Sequence, residues 1–151
     1  MIKMVISPEY FGNNDKKNDI KKQLKGLGAH DINIDETTGF VTALMTQDKY
    51  ENFVENLKKR VEKIAMNITD KYKGVEYIDY NPDYTVFNIV TDKVPENIKM
   101  SIVFELQISS ATYQVISGIP QTDASIKVNF YDKDKRLIEC IDTGKNKETS
   151  V

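Results

Sequence analysis

The chain holds few side chains of the kinds that catalyse reactions or bind metal ions. It has one histidine, His30, and one cysteine, Cys140. A catalytic histidine needs a positioned partner, and no serine or cysteine occupies a G-x-S-x-G setting. One cysteine excludes an internal disulfide and a cysteine metal site, and one histidine excludes a multi-histidine site. We therefore expect no catalytic residue, cofactor or metal site, and we interpret the chain as a non-enzyme, with Cys140 as a small core residue.

The spacing of Asp31, Asn33 and Asp35 matches the start of a calcium-binding loop. That loop requires glycine at its sixth position and glutamate at its twelfth, where this chain has Glu36 and Thr42. Ile32 and Ile34 alternate with the polar residues, a pattern typical of a half-exposed strand. We interpret the segment as a strand rather than a calcium site.

Four tyrosines lie near the Asn81-Pro82-Asp83 turn: Tyr72, Tyr77, Tyr80 and Tyr84. Tyrosine is frequent on surfaces that bind partners or sugars, because it offers a rigid and half-polar contact. Cross-strand aromatic pairing explains the same cluster without a ligand. Both interpretations stay open, and Tyr77, Tyr80 and Tyr84 are the candidate surface for a partner or ligand.

The charge of the chain argues against nucleic acid as a partner. The net charge is -2, from 21 basic and 23 acidic residues, and the only arginines are Arg60 and Arg136. Proteins that recognise nucleic acids depend on arginine for bidentate contacts with phosphate and guanine.

The lysines of the first helix have two interpretations, a solvated face or a contact with an anionic membrane surface. No run approaches the ~20 apolar residues of a membrane span.

The clearest structural signal is an apolar stripe that predicts a long amphipathic helix over residues 47–73. Its members recur at helical spacing and are Tyr50, Phe53, Val54, Leu57, Val61, Ile64, Ala65 and Ile68. A shorter helix ends near Gly26 and Gly28. Residues 98–117 fit a helix or a strand, and we favour the helix.

Alternating apolar residues and turn signals predict strands between these helices. The expected order is β-α-ββ-α-ββ-α-ββ, an α+β fold with a mainly antiparallel sheet built from hairpins. The long helix is expected to pack on one face of that sheet. We expect one domain over residues 1–142 and a polar, frayed tail over 143–151.

The order of several short motifs resembles a family of small secreted lipoproteins from low-GC Gram-positive bacteria, especially gut anaerobes. The motifs are the aromatic-glycine pair that ends segment 8–12, Gly28, the turn 35–39, Met45-Thr46 with Tyr50, and the stretch 113–118. The likeness spans most of the chain, although the turn matches the family pattern weakly. No functional residue carries over, because the family has no established activity.

The resemblance implies an extracytoplasmic domain held at the outer face of the membrane by a lipid anchor on an upstream cysteine. Since the chain begins with a strand-like segment rather than a signal peptide, we expect either a mature exported domain or a cytoplasmic protein. Two functions follow as hypotheses. The first is a non-enzymatic binding domain for an unknown protein or cell-envelope ligand. The alternative is a cytoplasmic mobile-element protein that inhibits a protein partner, as immunity proteins do.

Overall fold

Helices and strands alternate along the chain in the predicted order. The computed structural model describes residues 1–8, 11, 17–120 and 122–144. Its elements are β1 Ile2–Ile6, α1 Lys17–Gly26, β2 His30–Ile34, β3 Val41–Met45, α2 Gln47–Lys71, β4 Val75–Tyr80, β5 Val86–Thr91, α3 Glu96–Ile116, β6 Lys127–Tyr131 and β7 Leu137–Asp142. The α+β class and the element order are confirmed. Most of the expected tail, and the aromatic-glycine pair apart from Phe11, lie outside the described residues.

The strands form two sheets rather than the one layer expected. The first sheet has the order β1-β3-β2 and is antiparallel throughout. The second has the order β4-β5-β6-β7, with β5 and β6 parallel. The division follows from α2, whose 25 residues make a rod about 37 Å long that carries the chain away from β3. The parallel pair follows from α3, which returns the chain to the start of β5 before β6 begins.

Helix α2 joins the two sheets because each half of its apolar stripe packs in a different core. Phe53 and Leu57 lie in the core of the first sheet. Val61, Ala65 and Ile68 lie in the core of the second sheet. The predicted continuous stripe is therefore confirmed, and it packs against two layers instead of one.

The ends of α2 are set by local interactions. The hydroxyl of Thr46 accepts a hydrogen bond from the backbone N–H of Lys49 at 3.4 Å, which satisfies one free donor of the first turn. The helix ends at Lys71, two residues earlier than predicted. Gly74 then turns the chain with a φ of 94°, and a side chain there would meet the carbonyl of Asp92 at 2.7 Å.

Helix α3 runs beside α2, and the favoured helical interpretation of residues 98–117 is confirmed. Ile102 and Leu106 are buried in the core of the second sheet, and Ile116 reaches the core of the first. The sequence was ambiguous because the buried side of α3 also carries polar residues, namely Ser109, Ser110, Thr112 and Gln114. These residues interrupt the apolar period on which helix prediction depends.

The second sheet is covered by helices on one face. Phe87, Ile89, Val128 and Phe130 point into the core beneath α2 and α3. Successive residues of a strand point to opposite faces, so their neighbours in β5 and β6 form the other face. We call this second face, which no helix in the described part of the chain covers, the open face. No helix of the described residues is long and apolar enough to cross a bilayer.

Candidate binding surface

The structure separates the three candidate tyrosines. Tyr84 is only 5% exposed, and its ring lies 5.2 Å from that of Tyr113 in an edge-to-face contact. Tyr80 is half-buried, with its ring 5.5 Å from that of Tyr84. These rings pack in the core of the second sheet. Tyr77, in contrast, is 56% exposed and lies on the open face. Of the three tyrosines, Tyr77 is the one placed to contact a ligand.

Burial also changes the acidity of Tyr84. Its removal from water, together with the negative charge of Glu62, raises the pKa of the Tyr84 hydroxyl to about 12. Glu62 lies on α2, so this charge effect connects the turn before β5 with that helix. Tyr84 is therefore a structural residue that stays neutral at ordinary pH.

A row of polar side chains crosses the open face from strand to strand. The strand registers align Asp79, Asn88, Asn129 and Cys140 on successive strands. The amide of Asn88 donates to Oδ1 of Asp79 at 2.9 Å, and the amide of Asn129 donates to Oδ1 of Asn88 at 3.0 Å. We call these four residues the polar row. Its hydrogen bonds fix the side chains across three strands.

An apolar row lies beside the polar row on the same face. The registers align Tyr77 with Val90, Val90 with Tyr131, and Tyr131 with Leu137. We call these four residues the apolar row. Parts of both rows, with Lys135, line a shallow depression of about 700 Å³. The open face thus combines two phenol rings with amide and carboxylate groups that are held in place.

Sequence reasoning missed Tyr131, Asn88 and Asn129. The sequence did contain a signal for two of them. Val128 and Phe130 alternate as core-facing residues of a strand, which implies that Asn129 and Tyr131 point to the opposite face of the sheet. Their alignment with β5 could not be read from the sequence. It depends on the parallel pairing of β5 with β6, which are separated by the whole of α3.

Cys140 and His30 are both at the surface. Cys140 is exposed and belongs to the polar row, so its prediction as a core residue is wrong. The buried position in that part of β7 is taken by its neighbour Ile141, which is 8% exposed. His30 is exposed at the start of β2. Among the described residues, no group of three His, Cys, Asp or Glu side chains is arranged to hold a metal ion.

The segment that resembled a calcium loop is a strand followed by a turn. The carboxylate of Asp35 accepts hydrogen bonds from the backbone N–H groups of Thr38 and Thr37, at 3.0 and 2.8 Å. These bonds lower the pKa of Asp35, because they stabilise its charged form. Asp35 thus organises the turn that leads to β3.

Comparison with known proteins does not place the chain in a family. No protein-family model, curated protein or solved structure matches it. The resemblance to secreted lipoproteins rests on the motifs alone and stays a prediction.

Proposed function

We propose that this chain is a non-catalytic binding domain whose open face holds a neutral, polyhydroxylated chain such as a cell-envelope glycan. The observation that carries the proposal is the adjacency of the apolar row and the polar row on one uncovered sheet face. Ligand sites commonly combine apolar and aromatic surface with a few oriented polar groups. The open face has both, side by side.

The chemistry of the two rows suits a sugar chain. Sugar rings present C–H surfaces that pack on aromatic rings, here those of Tyr77 and Tyr131. Their hydroxyl groups both donate and accept hydrogen bonds, as asparagine does. In the polar row, Asn88 and Asn129 each use one amide N–H for the neighbouring strand. The second N–H of each amide remains for a ligand.

The charges on the open face favour a neutral ligand. The depression is lined by one carboxylate, that of Asp79, and one ammonium group, that of Lys135. These charges balance, so the depression attracts neither anions nor cations as a class. Specificity would come from hydrogen bonds and ring contacts.

The dimensions of the rows favour an extended ligand. Four strands at about 4.8 Å spacing give each row a length of about 14 Å, and the rows lie about 7 Å apart along the strands. A chain lying across the strands contacts both rows at once. A small compact ligand in the depression would leave Asn129, Cys140 and Leu137 without contacts.

We further propose that the domain works outside the cytoplasm as a lipoprotein-like protein. This proposal is supported by the motif order described above. It predicts an export signal and a lipobox cysteine encoded upstream of Ile2 in the gene. A natural gene whose reading frame starts at Met1 would overturn it.

Titration with solubilised cell-wall polysaccharide, followed by calorimetry and amide NMR, tests the binding proposal. Tyr77→Ala and Tyr131→Ala should each weaken binding at least tenfold, and Asn129→Ala should do the same. The matched control is Phe104→Ala, which removes a ring that is 65% exposed on α3, away from the open face. Binding equal to wild type in both tyrosine variants would refute the proposal, as would an absence of any binding by the wild-type protein.

One observation favours a protein partner as a second candidate. The apolar row ends at the edge strand β7, where Leu137 and Ile138 are 57% and 51% exposed. Exposed apolar residues at a sheet edge are typical of protein contacts. In that case the chain acts as an inhibitor or immunity-type binder. Ile138→Glu should then abolish a complex with the partner, whereas for a glycan bound along the two rows, neither of which includes Ile138, the same change has little effect.

A further inference from the structure

We propose that lysines at one end of the first sheet bind the anionic headgroups of a membrane surface. This basic end is defined by five exposed lysines: Lys3, Lys21, Lys22, Lys25 and Lys49. The proposal concerns a different part of the molecule from the open face and does not depend on glycan binding.

Helix α1 presents its lysines outward because its apolar residues are anchored in the core. Ile20 and Leu24 are 9% and 0% exposed and pack in the core of the first sheet. Lys21, Lys22 and Lys25 occupy exposed positions of the same helix. The fold therefore holds three ammonium groups at the surface of a fixed element.

The turn after α1 brings a lysine from α2 to the same place. Gly28 has a φ of 94°, and a side-chain carbon there would lie 3.0 Å from Cγ and Cδ of Lys49. The stem of Lys49 thus runs across the turn. Lys21 and Lys25 line a depression of about 450 Å³ with this same turn.

The strand register adds Lys3 to this end. Lys3 pairs with Leu44, and Leu44 pairs with His30, which lies two residues after Gly28. Lys3 is exposed on the sheet face opposite the helices. A flat surface brought against the end of the sheet can therefore meet lysines from both of its faces.

Acidic residues offset part of this charge. Asp19 lies one turn before Lys22 in α1, Asp31 lines the same depression, and Asp48 precedes Lys49 in the first turn of α2. Lys17, at the other end of α1, is already paired with Glu36 at 3.1 Å. Five lysines against three carboxylates still leave the basic end positive, in a chain whose net charge is -2.

The residue type favours a lipid surface over a discrete phosphate site. The basic end contains lysine and no arginine. Arginine suits bidentate contacts with one phosphate, whereas lysine acts as a compact, hydrated point charge. Lysines spread over α1, β1 and α2 match an array of headgroups, and each contributes about fivefold to partition onto an anionic bilayer.

The position of the basic end is compatible with ligand binding elsewhere. Lys49 lies in the first turn of α2, while the second sheet packs on the C-terminal half of that helix. The two regions are separated by much of a rod about 37 Å long. A protein held at its basic end would keep the open face accessible.

Co-sedimentation with vesicles of phosphatidylcholine and phosphatidylglycerol in equal parts tests the proposal. The triple variant Lys21→Gln, Lys25→Gln and Lys49→Gln should partition about a hundredfold less, since three fivefold factors are lost. The matched control is Lys59→Gln, Lys63→Gln and Lys73→Gln, which removes the same charge from exposed positions remote from the basic end. It should partition nearly as the wild type does.

Two further measurements sharpen the test. Binding should weaken as salt is raised and should be absent on vesicles of phosphatidylcholine alone, because the attraction is electrostatic. Equal losses in both triple variants would show a general charge effect and overturn the proposal. Displacement from the vesicles by low concentrations of soluble glycerol phosphate would also overturn it, since it would reveal a discrete phosphate site.

Discussion

The hydroxyl of Tyr50 donates a hydrogen bond to the backbone carbonyl of Ile116 at 2.5 Å. The bond ties the first turn of α2 to the last turn of α3. Carbonyl groups in the last turn of a helix lack partners within the helix, so the tyrosine supplies one. Tyr50 and the stretch 113–118 both belong to the motifs behind the lipoprotein resemblance. The fold thus assigns these two motifs a shared architectural role.

Tyr50→Phe is expected to lower the free energy of unfolding by about 1 kcal/mol, because one hydrogen bond in a partly buried site is lost. Urea denaturation should show an earlier midpoint with an unchanged m-value. Tyr77→Phe serves as the control, since it removes a hydroxyl from an exposed ring and should change stability by less than about 0.5 kcal/mol. Equal stability of the two variants would show that the Tyr50 bond contributes nothing.

A second bond network holds the segment before β6. Gln114 is 4% exposed, and its amide donates to the Ser125 carbonyl at 2.9 Å and accepts from the Ser125 N–H at 3.2 Å. Gln114→Glu keeps the shape but loses the donor, so we expect a loss of about 1–3 kcal/mol. Hydrogen exchange at Ser125 should quicken in this variant. Gln23→Glu, on the exposed face of α1, is the control and should leave that exchange unchanged.

The sequence predicted the elements well because each depends on local signals. The apolar stripe of α2 and the glycines at the turns can each be recognised in a short stretch of sequence. The division into two sheets depends instead on where α2 places the chain after β3, and no short stretch of sequence determines that position. The candidate surface was predicted only in part. Tyr77 and Tyr80 are three residues apart in one strand, so they must point to opposite faces, and this alternation could have separated them.

Stability should fall at alkaline pH partly because of Tyr84. Its folded pKa is about 12, while tyrosine in an unfolded chain titrates near 10. The folded state therefore favours the neutral phenol. This contribution is fully present below pH 10, and it is lost as the pH rises toward and through about 12.

Tyr84→Phe is expected to flatten the pH dependence of stability between about pH 10 and 12. In the wild type, ionisation of Tyr84 in this range increases the equilibrium constant for unfolding by up to about tenfold per pH unit. Urea unfolding at several pH values measures the slope, and the difference between the two proteins cancels the titration of lysines. Tyr77→Phe should keep the wild-type slope. A slope that Tyr84→Phe leaves unaltered would contradict the assignment.

The core of the second sheet also contains a lysine, Lys99, whose contribution to stability can be measured separately from that of its carboxylate partner, Glu139. Lys99 is 9% exposed, with its ammonium group 3.5 Å from Glu139 and 5.6 Å from the centre of the Phe130 ring. A second carboxylate, that of Glu96, lies at 4.0 Å. The four-carbon stem of Lys99 packs with apolar neighbours, while its charge needs the carboxylates.

We expect Lys99→Met to be nearly neutral, because methionine replaces the stem and no buried charge is left behind. Glu139→Leu should instead cost about 1–2 kcal/mol, since it leaves a largely buried ammonium group without its nearest carboxylate. The double variant should recover most of that loss, as thermal unfolding in a double-mutant cycle would show. If Glu139→Leu were as stable as the wild type, the ammonium group would have to be satisfied by Glu96 and water, and the pair would have no structural role.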